Sequence, residues 1–98
     1  MASSLNMKKR GMFVGTGADK TIVLGFQPVH VKVWNVTDGI KSEKIDTMVD
    51  AKAVSEDEDG AATYADHIEM ETDGFTVKAA LAADGSELHY LACQAKND

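Results

Sequence analysis

Hydrophobic and polar positions alternate most cleanly between Pro28 and Asn35. Side chains of an extended chain point to opposite faces in turn, so Val29, Val31 and Val33 share one side and His30, Lys32 and Trp34 the other. Pro28 has no amide hydrogen and marks where pairing begins, and Thr37-Asp38-Gly39 stops the strand in a turn. A helix is disfavoured here because β-branched valines crowd the preceding helical turn. Similar reasoning predicts strands at residues 12–14 and 20–24. Gly25-Phe26-Gln27 is too short for a parallel crossover. The strands either side of it are therefore expected to be antiparallel neighbours or to turn a corner between two sheets.

The second half repeats the theme. In residues 66–72, Ile68 and Met70 alternate against His67, Glu69 and Glu71, and Asp73-Gly74 is a hairpin-turn signal. A return strand over residues 75–79 points Phe75 and Val77 inward and Thr76 and Lys78 outward, with Lys78 facing Glu69 or Glu71. After the turn Asp84-Gly85-Ser86, residues 87–93 form a last strand whose blurred alternation predicts a central position with both faces covered. Between these strands the signal fades. Ile40–Ile45 reads as charged and mobile, residues 46–54 suit strand and helix about equally, 55–60 are an acidic loop, and 61–65 are small and weakly patterned. Residues 1–11 have no periodicity and end in Lys8-Lys9-Arg10-Gly11, which predicts a flexible basic N-terminal arm ahead of a single β domain over 12–98. The expected fold is all-β, a small antiparallel β-sandwich or barrel.

A chain of 98 residues, 44% hydrophobic and 27% charged, fits one domain with a modest core whose stability partners can supplement. No apolar run reaches the roughly 18 residues that span a bilayer, so no membrane partner is expected. The basic opening is not followed by an apolar segment and so does not read as a secretory signal; synthesis in the cytoplasm is expected. The net charge of −6 is unevenly spread. Residues 1–34 carry five cations and one carboxylate, whereas 35–98 carry five cations and fifteen carboxylates. Nucleic-acid binding by the folded part is not expected, because its cations are scattered among carboxylates.

Candidate chemistry is sparse. Gly15-Thr16-Gly17 lacks a third glycine at dinucleotide spacing and leads into β-branched residues, not a helix N-terminus, so no nucleotide cofactor is expected. The acidic run Glu56-Asp57-Glu58-Asp59-Gly60 lacks the alternating carboxylate spacing of a calcium loop and reads as a solvated loop. His30, His67 and His89 lie on three separate strands, and Cys93 is the only cysteine, so neither a zinc site nor an internal disulfide is expected; Cys93 reads as a small buried hydrophobe. The serines fall in the arm or in loops, without a nucleophile elbow, and His89 and Cys93, four residues apart on a strand, are too distant for a dyad. No catalytic, metal or cofactor residue is assigned, and no enzyme activity is expected. Trp34 is either an ordinary core tryptophan or, on its mixed face with His30 and Lys32, a contact anchor.

Taken in order, Gly15-Thr16-Gly17, Gly25-Phe26-Gln27-Pro28, Val31-Lys32-Val33-Trp34-Asn35, Gly74-Phe75-Thr76-Val77 and Leu88-His89-Tyr90-Leu91-Ala92 resemble small structural proteins of tailed-bacteriophage virions. The resemblance covers about residues 12–39 and 74–93. It implies a head decoration or cement protein on the capsid surface, a homo-oligomer (trimer or dimer) that binds the outer surface of the major capsid protein. Lys8, Lys9, Arg10, His30, Lys32 and Trp34 would be contact residues, the arm ordering along the shell. A tail or fibre module is the alternative within virions, and a carbohydrate-binding β-domain using Trp34 the alternative outside them.

Overall fold

Val31 and Val33 are fully buried, and so are the residues that meet them from the rest of the chain: Ala53, Ile68, Phe75, Val77, Leu81, Leu88 and Ala92. The structure, a computed structural model, describes residues 8–94. These form nine strands: β1 (Lys8–Val14), β2 (Lys20–Val23), β3 (Pro28–Asn35), β4 (Ile40–Ile45), β5 (Lys52–Glu56), β6 (Ala62–Asp66), β7 (Ile68–Glu71), β8 (Gly74–Val77) and β9 (Glu87–Gln94). A six-stranded antiparallel sheet has the order β1-β9-β3-β4-β5-β6, and a three-stranded antiparallel sheet the order β2-β8-β7. The all-β expectation is borne out: among the described residues there is no helix. The sheets meet through one core, where the rings of Phe75 (β8) and Tyr90 (β9) pack edge to face with centroids 5.4 Å apart.

The Gly25 corner does separate two sheets, since β2 and β3 lie in different ones. Strand β3 follows its valine alternation with one interruption. The register with β9 shifts between Pro28 and His30, so Val29 occupies a bulge and is only half-buried, while Val31, Val33 and Asn35 face inward. As expected, β9 is central, between β1 and β3. Its inward residues Leu88 and Ala92 are buried, but His89, Leu91 and Cys93 on its other side are only half-covered.

Four expectations need correction. Lys8–Gly11 are not arm but the first half of β1, paired with residues 90–93 of β9, because hydrogen bonding along a full-length neighbour stabilises a strand whose side chains carry no apolar pattern. Residues 1–7 of the expected arm lie outside the described residues. Ile40–Ile45 is a regular strand inside the large sheet; its signal was hidden because two of its three inward positions, after Ile40, are the polar Ser42 and Lys44. Residues 46–51 form a turn and 52–56 a strand. Finally, the β7–β8 hairpin exists, but its turn residues are Thr72 and Asp73. Gly74 opens β8 opposite Val23, and a Cβ there would lie 1.9 Å from the Ile22 carbonyl oxygen. Close approach of β2, not turn conformation, requires this glycine.

The outward positions of β8 are covered locally. Thr76 is buried and shares hydrogen bonds with Thr21 (3.0 Å) and Glu71 (2.9 Å). Lys78 lies 3.0 Å from Asp19 and 3.8 Å from Glu69, so the expected Glu69 contact forms and Asp19 is the nearer partner. The Gly15-Thr16-Gly17 segment docks backbone to backbone on the 82–86 loop: Gly15 donates to the Ser86 carbonyl and Gly17 to that of Ala82. Gly15 is required by close approach, since a Cβ there would lie against the Ala83 carbonyl oxygen, and Gly17 by its φ of +80°.

Candidate binding face on the six-stranded sheet

Three strands of the small sheet cannot cover six, and they lie only on the inner side of the large sheet. Its outer side carries every second residue, and cross-strand register fixes which ones meet. Met12, His89, Trp34 and Lys41 form one row; Arg10, Leu91, Lys32 and Glu43 form the next; Lys8, Cys93, His30 and Ile45 form a third. The face continues across β5 and β6 through Val54 and Tyr64. Met12 is 52% exposed, Ile45 41% and Tyr64 51%, and Trp34 and Leu91 are half-buried, so an apolar stripe crosses the sheet diagonally among charged neighbours.

The charges along this face are unequally matched. Each carboxylate has a partner: Glu43 with His30 (2.5 Å), Glu87 with His89 (2.6 Å), Glu56 with Lys41 (3.1 Å) and Asp66 with Lys52 (2.9 Å). The Lys52–Asp66 hydrogen bond holds the Asp66 carboxyl below the usual carboxylate range and raises the Lys52 ammonium. Lys8, Arg10 and Lys32 form no ion pair among the described residues. Arg10 lines a groove of about 490 Å³ with Met12, Trp34, His89 and Leu91; Lys8 lines a smaller depression of about 290 Å³ with Lys9, Arg10 and Leu91, and Lys32 stands opposite Leu91 in the sheet. On the inner side of the same strands, a Cβ at Gly11 would lie 2.6 Å from the Tyr90 hydroxyl, so its absence lets the Tyr90 side chain reach across to the edge strand.

The sequence-derived contact residues thus fall largely together. Lys8, Arg10, His30, Lys32 and Trp34 share the outer face, whereas Lys9 alternates to the other side of β1. Trp34 belongs to the surface and not to the core cluster. Cys93, expected to be buried, is half-buried on this face between Lys8 and His30. The face thus combines an aromatic ring, aliphatic side chains and three cations that form no ion pair among the described residues.

Two polar clusters inside the fold escaped the sequence reading. The buried Ser42 and Ser55 hydroxyls contact each other at 2.5 Å and lie 2.8 and 2.6 Å from His67 Nδ1. His67 sits where the chain leaves β6 for β7, and its amide donates to the Ala51 and Ala65 carbonyls, so the cluster pins the crossing between the sheets. Burial pushes the imidazole pKa down, opposed by Asp66. Both serine side chains are sealed from solvent, so their contact with histidine does not present a nucleophile to a substrate. The second cluster surrounds Lys44, only 1% exposed, whose ammonium donates to the carbonyls of Met48 (3.0 Å), Asp50 (2.9 Å) and Lys52 (2.7 Å). The turn closes around it through Asp50 at φ +49°, a left-handed conformation that Asp tolerates. Burial lowers the Lys44 pKa, with Asp50 and Glu69 opposing. Polar residues at inward positions have no hydrophobic period, which is why neither cluster was legible. Comparison with family models, with curated proteins and with solved structures gives no match.

Proposed function

We propose that this chain is a structural protein of a tailed-bacteriophage virion, a head decoration or cement protein that binds the outer surface of the major capsid protein. One observation carries the reading beyond the sequence resemblance. The outer face of the six-stranded sheet is uncovered and sets Trp34 and Leu91 among three cations, Lys8, Arg10 and Lys32, that lack a carboxylate partner among the described residues. A shell surface with apolar ground and carboxylates complements it. Aromatic and arginine side chains concentrate binding energy when water is excluded, and the cations steer encounter and fix orientation. Because Lys8 and Arg10 are held in β1, they are presented from fixed positions and their ordering cost is met by folding. Such binding resists internal pressure by tying neighbouring capsid subunits together.

Incubation with phage heads that lack the protein, followed by sedimentation, tests the reading. Heads are expected to carry the protein down and isolated tails to leave it in solution, with retention falling as salt rises from 50 to 500 mM. Recovery with tails alone would establish the tail or fibre module instead. Capture on a glycan array, lost in Trp34→Ala, would establish the carbohydrate-binding reading, which the position of Trp34 in a groove beside His89 and Arg10 favours next.

A further inference from the structure

We infer that copies of this chain join head to tail, β1 of one molecule pairing with β6 of the next, so that the six-stranded sheet continues from copy to copy. This inference does not depend on the capsid reading.

β1 and β6 are the two edges of one sheet, and no described strand pairs with the outer side of either. The sheet is antiparallel throughout and its strand number is even, so β1 and β6 run in opposite directions. A further copy in the same orientation therefore sets its β1 antiparallel to β6 of the first. With an odd number of strands the new pair would be parallel.

The hydrogen-bond phase also matches. Within an antiparallel pair, residues that exchange both main-chain bonds alternate with residues that exchange none. The Gly15 amide bonds to the Ser86 carbonyl next to β1, which assigns Phe13, Gly11 and Lys9 to β9 and leaves the main-chain groups of Lys8, Arg10, Met12 and Val14 directed outward. The Asp57 amide bonds to the Ala61 carbonyl and the His67 amide to that of Ala51, which assigns Thr63 and Ala65 to β5 and leaves Ala62, Tyr64 and Asp66 directed outward. On both edges the outward-directed residues also carry their side chains on the same outer face. Counted along the rows of the sheet, Lys8 then meets Asp66, Arg10 meets Tyr64 and Met12 meets Ala62 of the neighbouring copy.

Charge selects this partner over the alternatives. Lysine on an edge strand ordinarily repels a second copy of that edge, and β1 carries Lys8, Lys9 and Arg10 in succession, so β1 against β1 sets six cations together. β6 has no cation; it is preceded by Asp57, Glu58 and Asp59 and ends at Asp66. Arg10 over the exposed Tyr64 ring gains a cation–π contact. A head-to-tail contact is heterologous and closes into a ring when its rotation divides the circle.

Met12→Pro removes one outward-directed amide from β1, and Tyr64→Pro one from β6, without deleting a bond to β9 or β5. The full-length wild type, measured by light scattering after size exclusion at 10–200 μM, is expected to have the mass of several chains, and each variant alone that of one. Mixed in equal amounts, the two variants are expected to give a 1:1 heterodimer, because one intact β1 and one intact β6 remain. Arg10→Glu, which leaves the backbone unchanged, is expected to weaken wild-type association at least tenfold and shows that monomers do not arise from misfolding. A wild type monomeric at 200 μM would overturn the inference. So would a Tyr64→Pro variant that still dimerises while Met12→Pro does not, which is the signature of a β1–β1 contact.

Discussion

His67 is the residue where folding and protonation oppose each other most directly. Its Nδ1 lies within hydrogen-bond distance of two buried serines, and burial lowers its pKa below the ordinary value of 6.5. The unfolded chain therefore takes up a proton first as pH falls, and binding by the unfolded state lowers stability. The urea midpoint is expected to be flat near pH 8 and to decline as pH drops through about 6.5. His67→Gln should remove that decline above pH 5; an unchanged slope would assign it to other groups. Lys44 makes a second prediction. Its ammonium satisfies three turn carbonyls, and Lys44→Met leaves them buried without a donor, at a cost of about 2–4 kcal/mol in chemical denaturation. A loss below about 0.5 kcal/mol would mean that the turn opens to water instead.

At the scale of elements, two glycines with different reasons for being glycine separate close approach from conformation. Gly74→Ala drives a Cβ into the β2 backbone and is expected to cost about 2–3 kcal/mol by thermal or urea unfolding. Gly25 has open space around it but sits at φ +86°, so Gly25→Ala is expected to cost about 1 kcal/mol. Equal losses would contradict the distinction. The same elements show what sequence can and cannot reveal. β3, β7 and β8 were legible because their inward positions are Val31, Val33, Ile68, Met70, Phe75 and Val77, a period of two that only burial explains. β4 was not, since Ser42 and Lys44 occupy two of its three inward positions, and neither was the first half of β1, whose order comes from pairing with β9. Trp34, His30 and Lys32 were legible as one side of a strand. That Lys8 and Arg10 lie beside them follows from β9 entering between β1 and β3, a non-local pairing that local pattern does not encode.

For the whole molecule, the unequal sheets decide the outcome. Three strands close a core against one side of six, and the other side carries an apolar stripe and three cations with no carboxylate partner among the described residues, in a chain of net charge −6. The polar clusters at His67 and Lys44 hold the crossing and the turn on the inner side. The central claim is that this outer side is the docking face, and titration of heads lacking the protein with wild type, Trp34→Ala and Thr21→Ala tests it most directly. Thr21 lies exposed on the small sheet and serves as the control. Trp34→Ala is expected to weaken head binding by about 30-fold, the loss of about 2 kcal/mol typical of an aromatic anchor, while Thr21→Ala binds as wild type. Unchanged binding by Trp34→Ala would contradict the account.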